Sequence, residues 1–235
     1  MHIGFLNADE LKAEFVALYG DYPDMFSHRL RNIEPALQVS TYNAHNGELP
    51  ASIDEADAYL LTGSKHSVYE NELWITRLSD FVRALNAQKK PLIGICFGHQ
   101  MVAHALGGVV EKAQQGWQVG IKRNTLNSAA KEAGIDASHF QIISSHQDQI
   151  IELPKGMEVL ASERQCPVAM TRLGKHIFTV QGHPEFDKAY ARDIFTMRRR
   201  ILGEDTYQRS LESLMLETDN QAVLNWALDF VRRAL

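Results

Sequence analysis

The segment Gly94-Ile95-Cys96-Phe97-Gly98 constrains this chain more than any other. It follows an apolar run, Pro91-Leu92-Ile93, and precedes a helical pattern carried by Met101, Val102, Ala105 and Leu106. A small residue two places before and two places after a nucleophile marks a sharp strand-to-helix turn, the nucleophile elbow. The backbone at the middle residue is strained there, and flanking glycines avoid clashes with the neighbouring strand and helix. The turn also sets the Cys96 thiol at a helix N-terminus, whose dipole and free N–H groups favour the thiolate. Two readings of Cys96 stand at this point: a nucleophile, or a cysteine packed in the core, where free cysteines commonly sit.

At 235 residues the chain can bury a sizeable core, and α/β folds of this size commonly form one domain. The net charge of −5 argues against a nucleic-acid-binding surface, which is normally basic. The one basic run, Arg198-Arg199-Arg200, lies in helical spacing with Ile194, Met197 and Ile201 and reads as a solvated helix face. Two cysteines, Cys96 and Cys166, make no disulfide framework and fit a reducing setting. No apolar stretch approaches the roughly 18 residues that a membrane helix needs. Met1-His2-Ile3-Gly4-Phe5-Leu6 lacks the charged start of a signal peptide and reads as a first strand. The expected protein is soluble and cytoplasmic, without nucleic-acid or membrane partners.

No internal repeat, low-complexity tract or linker marks a domain boundary. In the first half, strand-like and helix-like segments alternate: strands at 3–7, 36–42 and 58–61, helices at 10–19 and 71–85, then the strand and helix around Cys96. Such alternation implies a parallel sheet with helices on both faces. The middle section holds short β-rich runs at 109–114, 119–123, 141–144, 159–162, 168–172 and 177–180, expected to continue and extend that sheet. Residues 187–235 read as helical, with Val223, Leu224, Trp226, Ala227 and Phe230 forming an apolar face in the last helix. The expected fold is α/β: a doubly wound, mostly parallel sheet flanked by helices, with a helical C-terminal segment.

In open α/β sheets, sites form at the carboxyl ends of strands. Four segments fall there. The first is the Cys96 elbow. The second is Gln181-Gly182-His183-Pro184-Glu185, after the strand at 177–180, with His183 and Glu185 two apart. A thiol nucleophile needs a base, and the base needs a third group to hold its tautomer. The third is Leu61-Thr62-Gly63-Ser64, where the Gly63 N–H, paired with that of Phe97, can hold an oxyanion; an ordinary βα turn is the other reading. The fourth is Ser144-Ser145-His146-Gln147-Asp148, a polar run after a strand at 141–143, either a set of hydrogen-bonding groups for a small polar substrate or only a loop.

The run Gly94-Ile95-Cys96-Phe97-Gly98-His99-Gln100, with Gln181-Gly182-His183-Pro184-Glu185 downstream, closely resembles the class I (triad-type) glutamine amidotransferases. Leu61-Thr62-Gly63-Ser64-Lys65 and Ser145-His146-Gln147-Asp148 are similar to a free-standing branch near the GMP synthase amidotransferase domain. The resemblance runs from the first strand to about Phe186 and weakens in the C-terminal helices. It implies a single glutamine amidotransferase-like domain over residues 1–235, with 187–235 as a helical extension. By the same resemblance, Cys96 attacks the carboxamide of glutamine and the N–H groups of Phe97 and Gly63 hold the oxyanion. His183 shuttles the proton and Glu185 orients His183. Gln100, Ser145, His146 and Asp148 fall at positions that contact the glutamine substrate. No metal or organic cofactor is implied.

Two departures stand out. Many amidotransferases carry Gly-Gly where this chain has Gly63-Ser64, and Gln147 stands where GMP synthase has glycine. No synthase domain follows in this sequence, so a separate partner chain is expected to accept the ammonia, or the protein hydrolyses a γ-glutamyl bond for its own sake. The leading expectation is a glutaminase-type cysteine hydrolase. The alternatives are a γ-glutamyl peptidase acting on glutathione-like amides and a non-catalytic binding protein on the same scaffold. Cys166 reads as structural, His99 and His104 as no metal pair, and Trp74, Trp117 and Trp226 as packing residues, with Trp117 also placed to line a pocket mouth.

Overall fold

The computed structural model describes residues 1–235. Its strands are β1 (His2–Leu6), β2 (Gln38–Tyr42), β3 (Ala58–Leu61), β4 (Leu92–Ile95), β5 (Val109–Lys112), β6 (Gln118–Leu126), β7 (His139–His146), β8 (Asp148–Glu152), β9 (Met157–Glu163), β10 (Cys166–Leu173) and β11 (Ile177–Val180). The helices are α1 (Ala13–Tyr19), α2 (Tyr22–Ile33), α3 (Leu73–Ala87), α4 (Phe97–Ala105), α5 (Ser128–Glu132), α6 (Lys188–Met197), α7 (Arg199–Leu202), α8 (Glu204–Ser213) and α9 (Asn220–Ala234). None is long and apolar enough to cross a membrane.

Nine strands form the main sheet in the order β2-β1-β3-β4-β11-β10-β9-β6-β7. The first five are mutually parallel, and every pairing beyond β11 is antiparallel. Along the parallel strands, side chains alternate between two apolar clusters, as the two-residue period of a strand requires. Phe5, Leu60, Ile93 and Phe178 face a cluster completed by α2, α5 and α9. Leu6, Leu61, Leu92 and Ile177 face one completed by α3 and α4. A third cluster joins α1, α6, α7 and α8 to Val119, Ile121 and Ile143 of β6 and β7. The sheet is thus covered on both faces, and the C-terminal region is helical.

Two expectations about the middle of the chain are corrected. Residues 109–114 do not extend the main sheet, because β5 pairs antiparallel with β8 in a separate two-stranded sheet. Strand propensity reports that a segment is extended but not which partner it finds. Ser144, Ser145 and His146 are the last residues of β7 rather than a loop after it, and Gln147 alone separates them from β8. The helix read at 10–19 begins only at Ala13, and α2 follows it. The start of α2 carried a sequence signal: Asp21 and Asp24 form a reciprocal capping box around Tyr22-Pro23.

Candidate active site

Three adjacent strands, β3, β4 and β11, end at one height, since Leu61 pairs with Gly94 and Ile95 with Val180. From these ends the chain runs into Thr62-Gly63, Cys96 and residues 181–183 respectively. Cys96 caps α4 with φ +52° and ψ −99°, a backbone conformation costly for any residue with a side chain. The turn is held from both sides: Cys96 N–H donates to Val180 O at 2.9 Å and Gly98 N–H to Thr62 O at 3.1 Å. The two glycines are dictated by approach. A Cβ on Gly98 would lie 2.3 Å from the Leu61 carbonyl oxygen, and one on Gly94 would lie 2.7 Å from that of Gly98.

His183 and Glu185 are both buried, and His183 Nδ1 lies 2.7 Å from Glu185 Oε1. Nδ1–H donates to the carboxylate, which fixes the orientation of the ring and leaves Nε2 for other work. The His183 ring stacks on Phe186 at 4.0 Å between centroids and 9° between planes. Arg29 clamps the segment by donating to the carbonyls of Glu185 and Phe186 at 2.7 and 3.0 Å. Burial opposes charge on His183, yet Glu185 and Cys96 beside it raise its pKa to about 10, so the imidazole keeps its proton at neutral pH.

Gly63 brings the two segments to one point. A Cβ there would sit 3.0 Å from His183 Cε1 and 3.7 Å from Cys96 Cβ, so only hydrogen keeps the space between them open. The Gly63 N–H makes no hydrogen bond within the chain. The Phe97 N–H, first in α4, has no intrahelical acceptor. The Gly63 loop is anchored by buried Asp9, whose carboxylate accepts from Lys65 N–H and Lys65 Nζ, both at 2.8 Å.

Gln100 lies on the first turns of α4, whereas Ser145, His146 and Asp148 arrive from distant strands. The antiparallel end curls until β7 meets the segment after β11, where His183 N–H donates to Ile143 O at 2.8 Å. This carries Ser145, His146 and Asp148 to the same cleft as Cys96 and Gln100, a space of about 380 Å³. Gln100 Nε2 donates to Asp148 O at 2.8 Å and to Gln181 Oε1 at 3.0 Å, and Gln181 Nε2 lies 3.5 Å from Cys96 Sγ. His146 Nδ1 donates to Asp148 O at 2.9 Å, and burial lowers its pKa to about 4, so it is neutral with Nε2 as acceptor. Five of the nine predicted site residues, Cys96, Gln100, Ser145, His146 and Asp148, line this cleft, and Gly63 and the His183–Glu185 pair stand beside Cys96.

Three contributors went unassigned in the sequence: Gln181, Asp9 and Arg198. Gln181 opens the motif that contains His183, and its place directly after β11 was the available signal. Asp9 follows the first strand by the same logic. Arg198 is a correction, since it does not belong to a solvated face. Its Nη1 donates to Ser145 Oγ at 2.7 Å and its guanidinium lies 5.2 Å over the Trp117 ring, inside the cleft. Helical spacing located the run but not the turn between α6 and α7 that swings Arg198 inward.

His99 sits fully buried behind the elbow. Its Nε2 donates to Val168 O at 3.0 Å, so Nδ1 accepts from the Thr179 hydroxyl at 2.6 Å; burial lowers its pKa to about 3. Cys166 is also buried, with its thiol pushed up to about 12 by burial first and then Glu163.

Residues 16–195 match the family model for glutamine amidotransferase class-I. The chain is 33% identical over 201 residues to gamma-glutamyl peptidase 3 of Arabidopsis thaliana, covering 81% of this chain and 78% of that one. It is 31% identical over 166 residues to the glutamine-hydrolysing GMP synthase of Pyrobaculum aerophilum, covering 71% of this chain but only 31% of that longer protein. Among solved structures it resembles a glutamine amidotransferase from Methylobacillus flagellatus, with a TM-score of 0.75 and 22% identity over 100% of this chain and 93% of that one. On the extent of the family match, and on identity to relatives over most of its length, the chain belongs to the class I glutamine amidotransferase family.

Proposed function

We propose that Cys96, His183 and Glu185 form a triad that hydrolyses the γ-glutamyl C–N bond of a small substrate. The observation that carries this reading is the buried 2.7 Å His183–Glu185 pair, set beside Cys96 across the open space at Gly63. Cys96 Sγ attacks the γ-carbonyl carbon, and the oxyanion so formed takes the N–H groups of Gly63 and Phe97. His183, already protonated, gives its proton to the departing nitrogen as the C–N bond breaks. The imidazole then takes a proton from water, whose oxygen attacks the γ-glutamyl thioester. The C–S bond breaks, and glutamate leaves with Cys96 restored. Glu185 orients His183 and balances its charge throughout.

The glutamyl half fits the buried end of the cleft. The Asp148 carboxylate forms no ion pair and suits the α-ammonium group, while Gln100, Ser145 and the neutral His146 supply hydrogen bonds. Glutamine meets these requirements, with ammonia passing to a separate synthase chain or to solvent. γ-Glutamyl peptides meet them too, and this second reading is favoured by a cleft wide enough for a larger amine and by the name of the Arabidopsis relative. The whole chain, helices α6 to α9 included, is read as one such domain acting in the cytoplasm, where two free cysteines are at home.

The test is glutamate release from glutamine and from γ-glutamyl dipeptides, with Cys96→Ala as control. Release from at least one substrate is expected, and its loss by a factor of roughly a million in Cys96→Ala. Release that survives Cys96→Ala sinks the assignment of the nucleophile. Hydrolysis of peptides but not of glutamine decides for the peptidase, and silence on both rules out free-standing hydrolysis.

A further inference from the structure

We propose that Arg198 binds a carboxylate on the amine half of the substrate, so that the preferred substrates are γ-glutamyl amides of amino acids or peptides with a free C-terminal carboxylate. This rests on the reading that Cys96 is acylated by the γ-glutamyl group.

Arg198 is a fixed cation without an anion. It is half-buried, its guanidinium lies over the Trp117 ring, and its one hydrogen-bond partner is the neutral hydroxyl of Ser145. The other charges in the cleft contrast with it. Lys65 is taken up by Asp9, while the next residue, Arg199, is committed to Glu204 outside the cleft. Lys112, exposed in the same cleft, also forms no ion pair and adds to the positive potential. A planar guanidinium with free N–H groups matches a carboxylate in two-point geometry.

Its position assigns the carboxylate to the amine half. An acyl-enzyme retains the glutamyl group while the amine departs, so the amine must face the opening. Gln100, His146 and Asp148 are buried, at 3 to 8% exposure, whereas Ile201, in the cleft beside Arg198, is 61% exposed. The anion Asp148 thus lies deep, while the half-buried cation Arg198, joined to the inner wall through Ser145, lies nearer the mouth. Ammonia, the amine half of glutamine, offers Arg198 nothing; an amino acid or peptide offers its carboxylate. Arg198 also lies beyond residues 16–195, the part shared with the family model, which fits a specificity element added to a common reaction centre.

Binding to the Cys96→Ala chain tests this independently of turnover. The ligands are a γ-glutamyl dipeptide and the same dipeptide with its C-terminal carboxylate amidated, measured by calorimetry. The free acid is expected to bind about tenfold more tightly than the amide, and adding Arg198→Met is expected to abolish that preference while Arg198→Lys keeps part of it. Binding of the amidated ligand shows that each variant is folded. A preference that survives Arg198→Met overturns the proposal. An equal loss for both ligands also overturns it, by assigning Arg198 to the α-carboxylate that they share. If turnover fails but the acid preference appears and depends on Arg198, the chemistry proposed for Cys96 falls while the carboxylate site stands.

Discussion

The parallel half of the main sheet and its antiparallel half meet at one cleft but bring different things to it. From the ends of β3, β4 and β11 come Gly63, Cys96 and His183, rigidly placed by strands that end at one height. From β7, curled back across the molecule, come Ser145 and His146, joined by Arg198 from the C-terminal helices. The first set surrounds the atoms that would react. The second surrounds the parts of a substrate that would not. A scaffold built this way can keep its chemistry fixed while the wall that reads the substrate varies.

Variants in the first set should therefore act on turnover and those in the second on substrate preference, and variants at three positions probe the contrast. The largest effect is expected for Glu185→Gln. Loss of the carboxylate that orients His183 should lower kcat by about 10³- to 10⁴-fold with little change in KM, as measured by steady-state glutamate release. The same variant tests the charge on His183. A pKa raised to about 10 contributes stability that is complete below the ordinary histidine value and is lost as pH rises through 10. Urea unfolding of the wild type should show that loss between pH 7 and pH 10.5, and Glu185→Gln should show a smaller one. Equal losses would mean that the pair does not hold the proton.

Asp9→Asn comes next. Asp9 touches no reacting atom but anchors the Gly63 loop through Lys65, so loosening it should cost about ten- to a hundredfold in kcat. A change confined to KM would instead assign Asp9 to the wall. The smallest effect is expected at the second cysteine. Cys166→Ala should leave turnover intact and cost about 1 kcal/mol of unfolding free energy through loss of a buried thiol. With its thiol protonated up to about pH 12, Cys166 should resist iodoacetamide at pH 8 while Cys96 at the cleft is labelled, a difference read by mass spectrometry.

Legibility in the sequence follows the same division. The inner parallel strands β3, β4 and β11 were readable because each is buried on both faces, and the runs at 58–61 and 177–180 match β3 and β11 end to end. The elbow was readable because its glycines answer a local steric demand. In the antiparallel half the strands were visible but their partners were not. The sequence around 109–114 looks the same whether it joins the main sheet or pairs with β8. The Arg198 run failed for a related reason, since its helical period holds only up to the break between α6 and α7.

The sequence by itself determined the alternating α/β framework, the strained turn at Cys96, and a histidine and glutamate spaced to pair at the end of a strand. These follow from local rules of period, turn geometry and charge, which need no knowledge of distant residues. Only the tertiary structure decided which strands became neighbours. It decided how far the antiparallel end curled to deliver Ser145, His146 and Asp148, and which cation was left without an anion at the cleft. Those outcomes depend on contacts between segments far apart in the chain, where the free energy of burial selects one pairing among several that local propensity allows equally.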